Sequence, residues 1–188
     1  MEYDTKGKVL KKAVVWKDLY FYQKSDAIYQ LTVEFCKRFL PAHGDRTVDQ
    51  MVQAARSGKQ NIVEGNADVE ISFEMGVKLI GVAKSSLQEL LSDYEDFLRV
   101  NNFEQWATTS KEYMAMRRLG RNSDNAYILD VAKSRPLNTI ANMAIILIKQ
   151  EDYLLHQWQK SLSERFMREG GVKEKMHRLR KEQREKDK

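Results

Sequence analysis

An all-α chain is the architecture the sequence predicts: an antiparallel up-down four-helix bundle with a helical insertion before the last helix and a basic C-terminal tail. Three observations carry this. Apolar residues recur at three- and four-residue spacings over four long stretches, the period of a helix that buries one face. Two prolines and nine glycines punctuate 188 residues, too few for the turns of a many-stranded sheet. Hydrophobic residues make up 42% and charged residues 31%, which suits a globular chain with a single core.

After a lysine-rich lead, Asp18 can cap a first helix running to about Leu40. Tyr20, Ala27, Ile28, Leu31, Phe35 and Phe39 share its stripe, and Pro41 and Gly44 end it. A second helix, from about Arg46 to Glu64, places Val48, Met51, Val52, Ala55 and Ile62 together, with Gly65 at the position of a left-handed C-terminal cap. The third helix, roughly Glu70 to Arg99, repeats Ser72, Met75, Leu79, Val82 or Ala83, Ser86, Leu90, Tyr94 and Phe97. Its small residues Gly76, Ala83 and Ser86 invite a close neighbour.

The rhythm breaks at about 101–135, which reads as an inserted elaboration. A short helix spans about Ser110 to Leu119 and is followed by the turn-rich Gly120-Arg-Asn-Ser-Asp-Asn125. The last helix starts with Ser134 as cap and Pro136 in its first turn. It carries Leu137, Ile140, Ala144, Leu147, Ile148, Leu154, Leu155, Trp158, Leu162 and Phe166 down to Gly170-Gly171. Beyond it, VKEKMHRLRKEQREKDK has helical propensity but few apolar anchors. The chain thus divides into a basic lead at 1–17, a bundle with its insertion at 18–169, and a basic tail at 170–188 that is helical or disordered.

Charge and cysteine usage exclude several classes. The net charge is +5, but the lead has five Lys/Arg against three Asp/Glu to residue 18, residues 19–169 have nineteen against twenty, and the tail has eight against four. The basicity belongs mostly to the ends. A single cysteine, Cys36, excludes an intrachain disulfide and a four-cysteine zinc site, and it reads as a buried small hydrophobe in a reducing cytoplasm. No apolar signal core opens the sequence. The longest apolar run, about Ala141 to Ile148, is far short of the ~20 residues that span a bilayer, so neither export nor membrane insertion is expected.

Catalytic and cofactor chemistry find no support. His43, His156 and His177 have no metal-ligating residue three or four positions after them, and no phosphate-cradling glycine loop or nucleophile elbow occurs. Glu89, Asp93 and Asp96 share a helix face and could form half of a di-iron carboxylate site, but a solvated acidic face is the simpler reading. No metal, cofactor or catalytic residue is expected. The cations that remain for an anionic partner are Arg56 and Lys59 on the second helix, Arg117, Arg118 and Arg121 in the insertion, and Arg178, Arg180, Lys181 and Arg184 in the tail. Trp106, Tyr113 and Tyr127 lie near the inserted arginines and could stack on bases.

The stretch Gln50-Met-Val-Gln-Ala-Ala-Arg-Ser-Gly-Lys-Gln-Asn-Ile-Val-Glu-Gly65 resembles a known second-helix signature, through Gln50, Ala54, Ala55, Ser57, Asn61, Ile62, Glu64 and Gly65. It is that of the bacterial four-helix-bundle proteins first noticed as ribosomal-RNA intervening-sequence proteins. Leu19-Tyr-Phe-Tyr-Gln-Lys24 and Ala83-Lys-Ser-Ser-Leu-Gln-Glu-Leu90 are similar to that family's first and third helices, and the region from Ala141 to about Lys175 is similar to the suffix of a longer subgroup. Paired arginines of many relatives are replaced here by Val52-Gln53, and an apolar-proline pair by Gly58-Lys59. The resemblance implies a homopentameric ring and kinship with the accessory variability determinant of diversity-generating retroelements, which binds nucleic acid and a reverse transcriptase. It implies structural roles for Asn61 and Glu64, satisfying backbone groups or pairing between protomers. Two functional expectations follow: a non-enzymatic, homo-oligomeric scaffold, or a nucleic-acid-binding accessory to a reverse transcriptase.

Overall fold

In the computed structural model, which describes residues 16–39, 46–69, 71–122 and 124–187, the described chain is all-helical, without a strand. The basic lead before Trp16, the helix stop at Pro41 and Gly44, and His43 lie outside the described residues. The α-helices are α1 (Tyr20–Phe39), α2 (Arg46–Val69), α3 (Phe73–Val100), α4 (Lys111–Asn122), α5 (Asn125–Lys133), α6 (Leu137–Glu169) and α7 (Val172–Lys186). No described helix is long and apolar enough to cross a membrane.

The four long helices pack in a cycle, α1 on α2 and α6, and α3 on α2 and α6. Residue numbers rise along α1 as they fall along α6. Phe21 stacks on Trp158 with ring centroids 4.3 Å apart, and Ser25 meets Glu151 one turn further on. The same holds for α3 and α6, where Phe73 stacks on Phe166 at 4.4 Å and Lys84 pairs with Asp152 at 3.7 Å. Across the middle, the edge of Phe35 meets Tyr94, whose hydroxyl donates to Thr32 Oγ1 at 3.1 Å. Thr32 in turn donates to the Ile28 carbonyl, so this fully buried polar chain is satisfied.

Several boundaries differ from the sequence expectation. Asp18 closes a short 3-10 turn rather than capping α1, which begins at Tyr20. Gly65 is not a C-terminal cap: α2 runs through it to Val69. Its missing side chain serves helix packing, since a Cβ there would lie 3.2 Å from both the Gly76 carbonyl oxygen and Ile80 Cγ1. Gly76 is tighter still, with a Cβ position 2.8 Å from the Val69 backbone, so the ends of α2 and α3 meet backbone to backbone. Ser72 lies outside the stripe of α3 and is its N-cap, accepting from the Met75 amide at 3.3 Å. The buried face of α3 is Gly76, Ile80, Ala83, Ser86, Leu87, Leu90, Leu91, Tyr94 and Leu98, which keeps Ala83, Ser86, Leu90 and Tyr94 of the expected stripe, whereas Met75 and Val82 are exposed.

The region 101–135 differs most. It forms two helices rather than one: α4 continues through Gly120 to Asn122, and Asp124 caps α5 by accepting from the Tyr127 amide at 2.8 Å. Part of it packs against the core. Residues 140–148 of α6 are buried without a break, so apolar surface faces every direction and must be covered all round. The stretch 101–122 covers the side that α1 and α3 leave open, and Met116, Ile128 and Ala132 join the central core. Asn142 fastens the loop before α4, accepting from the Trp106 amide at 2.8 Å and donating to the Glu104 carbonyl at 3.1 Å. Ser134 ends α5, and Pro136 is the N-cap of α6. Gly170, at φ 72°, ends α6 in a conformation that favours glycine. The tail beyond it is helical as α7, with no buried residue in its described part.

Candidate functional site

Where α1, α4 and α6 converge they leave a cleft of about 640 Å³. Tyr20 and Lys24 come from α1, Tyr113, Arg117 and Arg121 from α4, and Lys149, Gln150 and Tyr153 from α6; Thr108, Ile146 and Leu154 complete its wall. The spacing explains the convergence. Tyr20 and Lys24, Tyr113 and Arg117, Arg117 and Arg121, and Lys149 and Tyr153 are each one helical turn apart, so each helix presents a matched pair to the same space.

The floor is a hydrogen-bonded lattice. The Gly120 carbonyl accepts from Tyr20 Oη at 2.9 Å and from the Lys24 ammonium. Gln150 joins three helices, since its Oε1 accepts from Lys24 at 3.4 Å and its Nε2 donates to the Arg117 carbonyl at 2.8 Å. Gly120 permits this closeness: a Cβ there would lie 2.3 Å from Gln150 Oε1 and 3.0 Å from Leu147 Cδ2. The aliphatic stem of Lys24 is buried with its ammonium 5.1 Å from the Tyr20 ring centroid.

Four cations face the cleft. Lys149 is shared with Glu95 across a half-exposed 3.0 Å ion pair. Neither Arg117 nor Arg121 meets a carboxylate among the described residues. Behind the floor lies Glu151, fully buried, with Oε1 accepting from Ser25 Oγ at 2.9 Å and Oε2 without a hydrogen-bond partner among the described residues. Burial pushes its carboxyl up to about 8, against the opposing pull of the Ser25 hydrogen bond and of Lys24. Burial likewise holds the Lys24 ammonium below its ordinary value, with Glu151 acting in the other direction. The Tyr20 phenol is raised, first by burial and then by Glu151. The arrangement can hold an anion beside aromatic rings.

No family model, curated protein or solved structure matches the chain.

The predicted cations are dispersed. Arg117, Arg121 and Tyr113 share the cleft, whereas Arg118 is exposed on α4 outside its lining. Trp106 contributes its amide to Asn142 rather than a ring to the cleft, and Tyr127 is exposed on α5. Arg56 is exposed on α2, and Lys59 is drawn into helix packing, 3.0 Å from Asp26 and 4.2 Å over the Tyr29 ring. Arg178, Arg180, Lys181 and Arg184 are on α7, with Arg178 lining a second, smaller cleft beside Gly170 and Phe166.

The residues of the second-helix signature have local partners. Ala54, Ala55, Ile62 and Gly65 are buried, and Gln50, Ala54 and Ser57 line a groove with Ser86 and Glu89. The Ser57 and Ser86 hydroxyls are 3.0 Å apart, and Asn61 Nδ2 donates to the Ser57 carbonyl at 2.9 Å. Glu64 is exposed and accepts from Gln60 within the same helix. Among the described residues the buried carboxyl group is that of Glu151. His156 and His177 are exposed, and Asp93 is raised by partial burial together with Asp96 and Glu89.

Sequence reasoning does not select Tyr20, Lys24, Lys149, Gln150 or Tyr153. The available signal is a cation or tyrosine repeated at one-turn spacing where the apolar run of α6 stops at Ile148.

Proposed function

We propose that this chain is a non-enzymatic helical-bundle scaffold that binds nucleic acid in the cleft between α1, α4 and α6. One observation carries the reading: Arg117 and Arg121 stand one turn apart with no carboxylate facing them among the described residues, beside Lys24 and the rings of Tyr113 and Tyr153. Guanidinium groups supply forked donors to phosphate oxygens, and tyrosine rings supply faces on which bases of any sequence stack.

In this reading α1, α2, α3 and α6 are the four members of an antiparallel up-down bundle, and α4 with α5 form the insertion that builds the cleft. Copies of the chain assemble into a homo-oligomer, a pentameric ring by the resemblance to intervening-sequence proteins. A reverse transcriptase is the protein partner that the same resemblance suggests, in a bacterial cytoplasm. The cations of α7 add a second, weaker phosphate contact.

Anisotropy of a labelled single-stranded RNA tests the cleft. Affinity is expected to fall steeply between about 50 and 200 mM salt, and Arg117→Ala or Arg121→Ala to weaken binding at low salt by about tenfold, while Arg118→Ala changes it little. No binding at low salt, or equal losses for all three variants, rejects the reading. Light scattering on the same samples tests assembly, with a mass five times that of one chain expected and a monomer opposing it.

A further inference from the structure

The depth of the cleft decides which part of a nucleic acid reaches its most buried cation. Lys24 is 4% exposed, whereas Tyr20 is 44% and Tyr153 is 62% exposed, so the ammonium is at the floor and the tyrosines are nearer the rim. That floor is closed: Tyr20 and Lys24 both bond to the Gly120 carbonyl, and Gln150 ties the same place to α6 and to Arg117. An ammonium has three donors, and the described partners of Lys24, the Gly120 carbonyl and Gln150 Oε1, take two of them. Lys24 lines the cleft beside the Tyr20 ring, so the third is the donor that a ligand oxygen at the floor would meet.

A phosphodiester within a strand carries one negative charge and must let the chain leave on both sides. A closed floor favours a group with one covalent attachment. A phosphomonoester has that, carries about −1.5 to −2 charge at neutral pH and offers three acceptor oxygens. Lys24, Arg117 and Arg121 match that charge and those acceptors. A cleft of about 640 Å³ lies within the size range of small-molecule pockets, with room above the phosphate for a sugar and one planar base against Tyr113 or Tyr153.

We propose that the cleft takes a phosphomonoester attached to a planar base: a nucleoside monophosphate, either free or as the 5′ end of a strand. The proposal rests on the nucleic-acid reading above and narrows it to a terminus. The site does not require the interior of a strand, and it discriminates phosphorylated from unphosphorylated ends.

Calorimetric titration of the full chain tests it with AMP, adenosine, inorganic phosphate, and one short RNA carrying either a 5′-phosphate or a 5′-hydroxyl. AMP and the 5′-phosphorylated RNA are expected to bind at least about tenfold more tightly than adenosine and the 5′-hydroxyl RNA, because charge-assisted bonds are lost without the phosphate. AMP is expected to exceed inorganic phosphate. The exposed substitutions Arg117→Gln and Arg121→Gln are expected to erase the preference while leaving the melting temperature unchanged. If AMP competes with the 5′-phosphorylated RNA, free and terminal phosphates share the site, whereas binding of one of them alone identifies the source. Equal affinity for both RNA ends overturns this inference but leaves the nucleic-acid reading intact; inorganic phosphate binding as tightly as AMP overturns it as well. No binding of any probe overturns both.

Discussion

Ser25 Oγ donates to Glu151 Oε1 at 2.9 Å inside the core, while the other oxygen of that fully buried carboxyl group has no hydrogen-bond partner among the described residues. A carboxylate so placed is costly, because the Ser25 bond does not replace its lost hydration. The folded chain therefore keeps Glu151 protonated up to about pH 8, whereas the unfolded chain releases the proton near its ordinary value of 4.5.

The sign of the pH dependence follows. Between those two values the folded state binds the proton and the unfolded state does not, so this contribution to stability is complete below pH 4.5 and is lost as pH rises through about 8. Lys24, held below its ordinary value by burial, acts in the opposite direction as pH approaches 10.5. Glu151→Gln keeps an oxygen for Ser25 and removes the charge. It is expected to flatten the stability profile between pH 5 and 8 and to add on the order of 1 to 2 kcal/mol at pH 8. Thermal melts across that range check it, and parallel profiles for the two proteins reject it.

Two glycines predict opposite effects of the same substitution. Gly120→Ala drives a methyl group against Gln150 Oε1 and Leu147, so it is expected to cost about 1 to 3 kcal/mol and to loosen the floor of the cleft. Gly81, in the middle of α3, has nothing within 4 Å of its Cβ position, so Gly81→Ala is expected to stabilise by about 0.5 to 1 kcal/mol through helix propensity. Urea unfolding of both variants distinguishes them; a loss at Gly81 as large as at Gly120 contradicts the packing argument.

Asn142→Ala removes an acceptor from the Trp106 amide and a donor from the Glu104 carbonyl. The expected cost is about 2 to 3 kcal/mol, with faster hydrogen exchange confined first to the loop before α4. Exchange that accelerates equally across α2 and α3 would show that the loop is not separately fastened.

Ending the chain after Gly170 removes α7, which buries no residue in its described part, so the melting temperature is expected to change by no more than a few degrees. If Arg178, Arg180, Lys181 and Arg184 meet phosphates, the same truncation lowers the salt dependence of single-stranded RNA binding by about 0.7 in logarithmic slope for each phosphate that α7 had neutralised. An unchanged slope places α7 outside the interface.

What the sequence discloses depends on how local the cause is. The stripe of Ala27, Ile28, Leu31 and Phe35 in α1 is a one-helix property and is legible, as is the end of α6 at Gly170. Gly65 misleads because a cap glycine and a contact glycine look alike until the neighbour, here Gly76, is known. Arg117 and Arg121 stand out as a local cluster, but Lys24 and Lys149 join them only through the packing of α1 and α6. Glu151 escapes notice although it occupies the stripe of Ile148 and Leu155, where a charged residue breaks an otherwise apolar face.

The unbroken burial of 140–148 sets how freely this chain can vary. Along α2 or α3, a library of single substitutions would show permissive sites returning every three or four positions, as each helix turns a side to water. Along 140–148 no side turns outward, so the same library would show a continuous intolerant band nine residues long.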